Sequence, residues 1–327
     1  MNEIIGIVGG GPAGMSCALW LKNLGFFPMI VEKNQRLGGL QQLSLFDNKW
    51  YLGTEKRGIE IAEQLEQHIK VENIPTIMGS QLKRIIKVGE KFKMIAEEKE
   101  ITAKCIVIAT GQRVRGYESI AEIEGSRELL SSEQVCFNPG KTPLLSTRVD
   151  GQVVAVVGGG DNGMGTVRYM ENVAKEIHLL VRSDMRGFAI NKKKILDMMA
   201  ADSVKLHRQA RLRRFEVRGE KIYIAFQDEN NPEAEILCDY LCFRMGFTPN
   251  VEEIVQLLDV GGVGSLKLSP DGYIATDGFG RTSIENIYVA GDVANPRDPC
   301  VATAVAQGAI AARSLEETCS VVVRFSG

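Results

Sequence analysis

Residues 4–14 read Ile-Ile-Gly-Ile-Val-Gly-Gly-Gly-Pro-Ala-Gly, and residues 153–163 read Val-Val-Ala-Val-Val-Gly-Gly-Gly-Asp-Asn-Gly. Each stretch is an apolar run followed by Gly-x-Gly-x-x-Gly and then by sequence that is compatible with a helix. Apolar runs without polar alternation are typical of parallel strands that are buried on both faces. The repeat therefore predicts two nucleotide-binding βαβ domains in one chain.

The first of these units can be traced from strand to helix to strand. Pro12 is compatible with the first turn of a helix because its missing N–H costs nothing there, and Gly25 is placed to end that helix. A second strand over Pro28–Val31 then ends at Glu32, eighteen residues after Gly14. This offset is close to the ~20 residues expected for an acid that binds a ribose.

The glycines of the turn have a physical task. Gly9 permits the tight turn, Gly11 lets backbone N–H groups approach a pyrophosphate, and Gly14 permits close packing of helix against strand. The helix N-terminus then presents unpaired N–H groups and a partial positive charge to the phosphates. Strand, turn, helix and Glu32 together predict nucleotide binding; the alternative is a tight turn without a ligand.

The second unit follows the same order but ends differently. Its strand covers Val153–Val157, its helix continues to about Ala174, and its next strand covers Glu176–Val181. Arg182 and Ser183 follow, so no acid stands at the end of this strand. The missing acid argues against NADH as the ligand of this unit.

The segments outside the repeat indicate that one domain interrupts the other. Cys105–Ala109 is strand-like and leads into Thr110-Gly111, and near the end Ile287–Ala290 leads into Gly291-Asp292. We therefore predict a discontinuous first domain over 1–114 and 247–327, into which a second domain, 115–246, is inserted.

Composition excludes several classes of protein. The 327 residues carry 39 Lys and Arg against 41 Asp and Glu, a net charge of −2, which is unlike a dedicated nucleic-acid binder. No apolar run approaches the ~18 residues of a membrane span, so we expect no membrane association. The N-terminal residues lack a basic stretch before their apolar run, so we expect no signal peptide.

Cysteine and histidine usage is equally informative. Seven cysteines are an odd number spread over a long chain, which favours a reducing, cytoplasmic compartment over a disulfide framework. Only three histidines are present and they are widely separated, so we predict no metal site.

Taken in order, the motifs resemble one family. Gly9–Gly14 with Glu32, Gly38-Gly39, Ala109-Thr110-Gly111, the second Gly-rich turn, Gly246 with Pro249-Asn250, and Gly291-Asp292 are similar to those of the low-molecular-weight thioredoxin reductases. The resemblance spans essentially the whole chain. It implies an α/β fold of two Rossmann-like (three-layer ββα) domains, FAD in the first domain, a pyridine nucleotide in the second, and a homodimer.

The resemblance also implies residue roles. Glu32 would bind the adenosine ribose, Asp292 would hold ribitol or pyrophosphate groups, and a helix starting in the Cys300–Gln307 stretch would face the flavin pyrimidine ring, where its dipole stabilises negative charge. The other residues assigned to FAD in this way are Gly9, Gly11, Pro12, Ala13, Gly14, Lys33, Gly38, Gly39, Leu40, Gln42, Ala109, Thr110, Gly111, Gly291, Ala302, Thr303 and Ala304. Those assigned to the second nucleotide are Gly158, Gly160, Asp161, Asn162, Gly163, Arg182 and Arg186.

The sequence departs from the family in its cysteines. Thioredoxin reductases carry Cys-x-x-Cys just before the second Gly-rich strand, whereas residues 131–147 contain Cys136 alone. One thiol cannot cycle as an intrachain disulfide, so the usual dithiol relay is absent. Cys300 stands where the family places a polar residue beside the flavin. It is a candidate electron relay, because a helix N-terminus favours the thiolate; the alternative is a small buried hydrophobe.

The second domain departs from the family as well. Arg182 and Arg186 replace the usual basic cluster that binds the 2′-phosphate, and we expect NADPH on the basis of phosphate–arginine pairing. NADH or a second flavin remain alternatives for this domain. The segment from Arg182 to Arg218 contains eleven Lys and Arg residues and four Asp and Glu residues. This net charge of +7 is typical of a solvated face or of a docking patch for an acidic electron carrier such as a ferredoxin or flavodoxin.

Three functions are compatible with these observations. The first is an FAD-dependent oxidoreductase in which NADPH reduces the flavin and the reduced flavin passes electrons directly to an external acceptor, either an electron-carrier protein or a small molecule. The second is a disulfide reductase that acts on a thioredoxin-like protein through other cysteines, Cys300 first, with a second flavin or a protein donor in place of NADPH. The third is a redox-sensing flavoprotein without turnover.

Cys238 and Cys242 have the spacing of one strand face, roughly 13 Å apart, which is too far for a disulfide and favours core packing. Trp50 and Tyr51 are candidates either for packing the first domain or for covering the flavin ring.

Overall fold

The structure is a computed structural model that describes residues 3–48, 51–295 and 297–319. In chain order the strands are β1 (Ile4–Val8), β2 (Phe27–Val31), β3 (Thr76–Ile77), β4 (Leu82–Val88), β5 (Lys91–Ala96), β6 (Lys99–Ala103), β7 (Cys105–Ile108), β8 (Gln112–Val114), β9 (Val135–Cys136), β10 (Val153–Val157), β11 (Glu176–Val181), β12 (Lys205–Arg208), β13 (Arg211–Arg218), β14 (Lys221–Gln227), β15 (Ala234–Cys238), β16 (Tyr240–Phe243), β17 (Phe247–Pro249) and β18 (Ile287–Val289). The helices are α1 (Pro12–Asn23), α2 (Gly58–Val71), α3 (Thr142–Leu145), α4 (Asp161–Met170), α5 (Ala189–Ala200), α6 (Glu252–Val260) and α7 (Val301–Thr318).

The chain divides into two units, residues 1–113 with 249–327 and residues 114–248. The predicted domain boundaries differ from these by one or two residues. The strands β8 and β17, which carry the chain from one unit to the other and back, pair with each other.

The first unit has three layers. Its central sheet is parallel, in the order β18-β7-β1-β2-β3. One face packs against α1 and α7 through residues such as Leu21, Ala311 and Leu315. The other face packs against the antiparallel sheet β4-β5-β6, where Met94 of β5 fills the space that a side chain at Gly6 would occupy. This arrangement confirms the predicted ββα layering of a parallel sheet covered on both faces.

The second unit repeats the arrangement. Its parallel sheet has the order β12-β11-β10-β16-β9, and its antiparallel sheet has the order β13-β14-β15. Phe215 and Phe243 lie in the core between the two sheets, whereas Met164 and Ile195, from α4 and α5, lie in the core on the opposite face. The predicted α/β fold with two Rossmann-like halves is therefore confirmed.

Two local predictions were wrong. The helix that starts at Asp161 ends at Met170 rather than near Ala174, because the chain turns there: the N–H groups of Val173 and Ala174 both donate to the Met170 carbonyl. Cys238 and Cys242 do not share one strand face. The chain changes sheets at Asp239, whose N–H donates to the Val153 carbonyl and whose carboxylate accepts from the Val153 N–H. Both thiols are buried in separate cores, as core packing requires.

No helix within the described residues has the length and apolar character that a bilayer crossing requires.

Candidate functional site

The predicted site residues of the first unit follow four neighbouring parallel strands. β1, β2, β7 and β18 end at Val8, Val31, Ile108 and Val289, and the motif residues come directly after these ends. In an open parallel sheet, ligands bind in the crevice outside the carboxyl ends of the strands. The fold therefore brings sequence-distant motifs to one edge of one sheet.

The Gly-rich turn of this unit leaves no room for side chains at two positions. A Cβ on Gly9, whose φ is +108°, would lie 2.4 Å from the Ala109 carbonyl oxygen, and a Cβ on Gly14 would lie 2.0 Å from the Gly9 carbonyl oxygen. Gly11 is different, because the nearest atom to its added Cβ is the Cα of Gly39 at 3.9 Å. Gly9 and Gly14 thus serve the fold, whereas Gly11 leaves open space over the N-terminus of α1.

Glu32 holds the turn in place. It is 5% exposed, and its Oε2 accepts from the Gly10 N–H at 2.7 Å. Its Oε1 accepts from the backbone N–H and the side-chain amide of Asn34 at 2.8 and 2.7 Å. The carboxylate therefore has a structural role that sequence reasoning did not foresee. Each of its oxygens retains acceptor capacity for a ribose hydroxyl.

A second loop closes over the first. The Gly38 N–H donates to the Gly10 carbonyl at 2.7 Å, and Gly39 begins a short 3₁₀ helix, Gly39–Leu43. A Cβ on Gly38 would lie 2.6 Å from the Cβ of Ala62, so only glycine fits there. Leu40 and Gln42 belong to this 3₁₀ helix, and the Gln42 amide donates to the Leu37 carbonyl. Lys33 is exposed at the start of the loop.

The segment after β7 is fixed by Asn250, which directly follows β17. The Asn250 side-chain amide donates to the Thr110 carbonyl at 2.8 Å, and the Thr110 hydroxyl donates to the Asn250 carbonyl at 2.8 Å. The Asn250 N–H also donates to the Gly111 carbonyl. These contacts give Pro249-Asn250 a role in shaping Ala109-Thr110-Gly111.

The first turns of α1 and α7 meet at Gly291. A Cβ on this glycine would lie 2.6 Å from the Cβ of Ala13 and 4.0 Å from the Cβ of Ala304, and its N–H donates to the Gln307 side chain at 2.9 Å. Gly308 allows the close crossing of the two helices, since a Cβ there would lie 2.3 Å from the Ala13 carbonyl oxygen. Two helix N-termini therefore bring their partial positive charges to one cleft.

Asp292 has one buried carboxyl oxygen, Oδ1, that has no partner among the described residues. Burial raises the pKa of Asp292 to about 7. A buried polar atom left unpaired is costly, and a ligand hydroxyl is one group that satisfies it. Gln41 Oε1, on the 3₁₀ helix, is a second buried acceptor that lacks a partner among the described residues.

Cys300 is the residue that precedes α7. Its N–H donates to the Thr303 hydroxyl at 3.2 Å, and its Sγ lies 3.5 Å from the same oxygen. The side chain is half-buried. Ala302 and Thr303, also half-buried, lie in the first turn of the helix with Ala304.

The Gly-rich turn of the second unit repeats the first in detail. A Cβ on Gly158 would lie 2.2 Å from the Arg244 carbonyl oxygen, and a Cβ on Gly163 would lie 1.8 Å from the Gly158 carbonyl oxygen. Nothing lies within 4 Å of the Cβ position of Gly160. The open position is again the middle glycine of the motif.

The polar residues after this turn are arranged differently. Asp161 Oδ1 accepts from the Phe188 N–H at 3.0 Å and from the Asn191 amide at 2.7 Å, which ties the N-terminus of α4 to that of α5. The Asn162 carbonyl accepts from the Thr166 hydroxyl inside α4. Arg182 and Arg186 come after β11 with both guanidinium groups exposed, and the Arg186 N–H donates to the Gly159 carbonyl at 2.7 Å.

Sequence reasoning missed Arg244, which is 4% exposed at the end of β16. Its guanidinium donates to the hydroxyls of Thr166 and Thr142 and to the carbonyls of Cys136 and Phe243, and its Nη2 lies 3.8 Å from Cys136 Sγ. No carboxylate of the described residues pairs with this buried charge. An arginine inside the apolar run Tyr240–Met245 was the available signal.

The first cleft fits the FAD that the resemblance implies. The open space over Gly11, the N-terminus of α1 and the unpaired oxygen of Asp292 suit a diphosphate flanked by hydroxylated groups. No group of three or more candidate metal ligands occurs among the described residues. Trp50, predicted either to pack the first domain or to cover the flavin ring, lies outside the described residues.

Comparison with known proteins gives a consistent result. Residues 4–308 match the pyridine nucleotide-disulphide oxidoreductase family. The chain is 26% identical over 327 residues to NADPH-dependent thioredoxin reductase 3 from Arabidopsis thaliana. The aligned region covers 96% of this chain and 58% of that protein. It is 25% identical over 298 residues to ferredoxin–NADP reductase from Lactococcus lactis subsp. cremoris, which covers 88% of this chain and 85% of that protein.

Solved structures agree at the level of fold. Lactococcus lactis thioredoxin reductase in its FR conformation has a TM-score of 0.81 and 21% identity, over 97% of this chain and 98% of that chain. The chain spans just over half the length of the Arabidopsis thaliana relative and of an alkyl hydroperoxide reductase component that it also matches in Pseudomonas aeruginosa.

Proposed function

Because the chain belongs to the pyridine nucleotide-disulphide oxidoreductase family and has a thioredoxin reductase-like fold, we propose that it is an FAD-dependent NAD(P)H oxidoreductase. In this proposal electrons pass between the nicotinamide cofactor and an external acceptor. The observation that carries the proposal is the cleft of the first unit, where two helix N-termini and the unpaired Asp292 oxygen surround open space at Gly11.

FAD supplies the redox chemistry when it is bound. The N–H groups at the start of α1 hold the diphosphate, and Glu32 accepts a hydrogen bond from the adenosine ribose. Asp292 accepts from a hydroxyl of the ribitol or binds beside the diphosphate. The first turn of α7, over Ala302–Ala304, would hold the pyrimidine end of the flavin, and its dipole would stabilise negative charge there.

NADPH is the proposed ligand of the second unit. The open position at Gly160 admits a diphosphate to the N-terminus of α4. The exposed guanidinium groups of Arg182 and Arg186 supply bidentate donors for a 2′-phosphate. Neither residue is an acid that would prefer an unphosphorylated ribose, so NADH and a second flavin are the weaker alternatives.

The proposed acceptor is an acidic electron-carrier protein of the ferredoxin or flavodoxin class. No two of the seven cysteines have the Cys-x-x-Cys spacing, and we propose that electrons reach the acceptor without a dithiol relay. One relative is named ferredoxin–NADP reductase. The segment from Arg182 to Arg218 has a net charge of +7 and carries exposed cations on α5 and on β13, which would attract an acidic partner. We further propose that the protein is a homodimer, which light scattering after size exclusion would test.

The proposal is tested by anaerobic reduction of the purified protein. It should be yellow with stoichiometric FAD, NADPH should bleach it, and a ferredoxin or flavodoxin should reoxidise it at a rate that falls with ionic strength. A Cys136→Ala/Cys300→Ala double variant should keep this turnover within about twofold. A colourless protein that takes up no FAD, or a flavin that neither NADPH nor NADH bleaches, would contradict the proposal.

A second candidate function is a disulfide reductase that uses Cys300. The half-buried position of this thiol at the start of α7 favours it. The discriminating experiment is Cys300→Ser with a thioredoxin-type disulfide as substrate. Loss of disulfide turnover with unchanged turnover of the electron carrier would establish the thiol route beside the direct one.

A further inference from the structure

Two thiols meet in the core of the first unit. Cys105 is the first residue of β7, and Cys319 follows the last residue of α7. Their sulfur atoms are 3.0 Å apart although 214 residues separate them in the chain. Both are enclosed, with 0% of Cys105 and 2% of Cys319 exposed. The two sulfur atoms are therefore closer together than ordinary van der Waals packing of two buried thiols would place them.

We propose that Cys105 and Cys319 form a reversible disulfide, an oxidation-sensitive staple that joins the C-terminal end of α7 to β7. The sulfur atoms need to approach by only about 1 Å to reach the ~2.05 Å of a disulfide bond. Because the two residues belong to the same unit, this approach requires no rearrangement of one unit against the other.

The surroundings distinguish this pair from the other buried thiols. A hydrogen bond from the Cys105 thiol lowers the pKa of Cys319, and the nearby charge of Lys104 acts in the same direction. Burial instead raises the pKa of Cys17, Cys238 and Cys242 to about 12. The thiolate is the reactive form of cysteine, so oxidation should begin at Cys319.

We expect a small oxidant to reach Cys319 when the end of the helix opens. The last turn is held by the Cys319 N–H, which donates to the Leu315 carbonyl at 2.8 Å, and by the contact between the hydroxyls of Thr318 and Tyr288. Terminal helical turns open far more often than the core unfolds. Opening of this single turn exposes the sulfur without disturbing the sheet.

A hydroperoxide is the class of oxidant that the pair would take. The Cys319 thiolate attacks one peroxide oxygen, forming an S–O bond and breaking the O–O bond, and the departing oxygen takes up a proton to leave as an alcohol or as water. The Cys105 thiol then attacks the sulfur of the sulfenic acid; the S–S bond forms, the S–O bond breaks, and water leaves with the Cys105 proton. Two thiols are oxidised and one hydroperoxide is reduced.

The staple is separate from the proposed electron route. Cys105 begins β7 and Ala109 follows its end, about 13 Å away along the strand. The 18 residues of α7 place Cys319 about 27 Å from the turn that faces the cofactor cleft. A failure of this inference therefore leaves the proposed oxidoreductase untouched, and the reverse also holds.

The test is oxidation of the flavin-loaded protein with hydrogen peroxide, followed by thiol counting in denaturant and peptide mapping. Of the seven thiols, two should be lost and then restored by dithiothreitol. Trypsin should release peptide 105–113 linked to peptide 314–324. The oxidised protein should melt about 5 °C or more above the reduced protein, because the cross-link closes a very long loop.

Variants make the assignment specific. Cys105→Ala should abolish the linked peptide and the melting shift, and a sulfenic-acid probe should then label Cys319. Cys17→Ala changes a thiol in the same core. On oxidation this variant should still lose the thiols of Cys105 and Cys319, as the unaltered protein does. Retention of all seven thiols, or a cross-link between any other pair, would overturn the inference. The thiol count and the linked peptide are both measured on the unaltered protein, so the test does not depend on whether a variant folds.

Discussion

The two Gly-rich turns of this chain share a backbone and differ in the side chains around it. In both units the first glycine donates to the second strand, from Gly9 to Val31 and from Gly158 to Leu180, at 2.9 Å. In both, the carbonyl of the next glycine accepts at 2.7 Å from a loop after that strand, at Gly38 and at Arg186 respectively. The turn geometry is therefore a property of the fold rather than of the ligand.

The difference lies in the residues that come after the neighbouring strands. In the first unit a buried acid, Glu32, comes after the second strand and a small residue, Ala109, comes after β7. In the second unit the exposed Arg182 and the buried Arg244 come after β11 and β16. The two units therefore differ at the strand ends, where the first carries a carboxylate and the second carries cations, and under the proposed function this difference would set the choice of ligand.

The largest expected effect comes from the third glycine of each turn. Gly14→Ala and Gly163→Ala each place a Cβ within 2.0 Å of a backbone oxygen that cannot move aside. We expect each variant to lose about 3 kcal/mol or more of unfolding free energy. Only Gly14→Ala should also lose FAD. Urea unfolding and the ratio of flavin to protein absorbance measure both, with Gly165→Ala, whose Cβ position is open, as the control.

A smaller and more selective effect is expected at the middle glycine. Gly11→Ala and Gly160→Ala add a methyl group where no atom lies within 3.8 Å, so both proteins should fold normally. The methyl group should nevertheless obstruct the diphosphate, and we expect Gly11→Ala to weaken FAD binding by about 100-fold, or 2.7 kcal/mol. Gly160→Ala should raise the KM for NADPH and leave FAD binding unchanged. Unaltered FAD affinity in Gly11→Ala would refute the placement of the diphosphate.

The cations of the second unit should decide between the two nicotinamide cofactors. Arg182→Gln/Arg186→Gln removes both exposed guanidinium groups, and we expect kcat/KM for NADPH to fall about tenfold while that for NADH is unchanged. Lys193→Gln, on α5, removes one nearby charge and serves as the control. An equal loss with both cofactors would indicate that these residues position α4 and α5 rather than bind a phosphate.

The smallest effect, taken per pH unit, is a pH dependence of opposite sign in the two units. Burial lowers the pKa of His178, which lies opposite His207, to about 4. Its folded pKa is below the unfolded value, so the second unit should lose stability as the pH falls from about 6.5 towards 4, at about 1 kcal/mol per pH unit. In the flavin-free protein the raised pKa of Asp292 should destabilise the first unit as the pH rises from about 4 to 7.

Hydrogen exchange resolved by unit can separate these two slopes. His178→Gln should flatten the acid slope and Asp292→Asn the alkaline one. His68→Gln and Asp271→Asn, both at exposed positions, should change neither slope. Stability slopes of the same sign in both units would contradict the predicted difference between the units.

Much of this arrangement could be predicted from the sequence, because strand, turn and helix are local. The apolar runs beside the Gly-rich turns predicted β1, β10 and β11. Gly25, predicted to end α1, follows that helix with a φ of +87°. The end of α4 could not be predicted, because the turn after Met170 is set by tertiary contacts: the Val173 carbonyl accepts from the Gly151 N–H. Helix propensity alone carries no such information.

Long-range features of the site were likewise outside local reasoning. The burial of Arg244 depends on Thr142 and Thr166, which are distant in the sequence. The role of Asn250 in holding Thr110 joins positions 140 residues apart. The periodicity of apolar residues carries no information about such distant pairs. The structure reveals them because it shows which strand ends lie at the same edge of a sheet.

The crossing of α1 and α7 at Gly308 has a consequence for how the first cleft responds to its environment. The attraction that this cleft offers to an anion comes in large part from peptide dipoles, and peptide groups do not titrate. Acidity that would charge a histidine or neutralise a carboxylate leaves this contribution unchanged as long as the two helices stay together. This part of the attraction therefore depends on the close packing of α1 against α7 at Gly308 rather than on the protonation of a side chain.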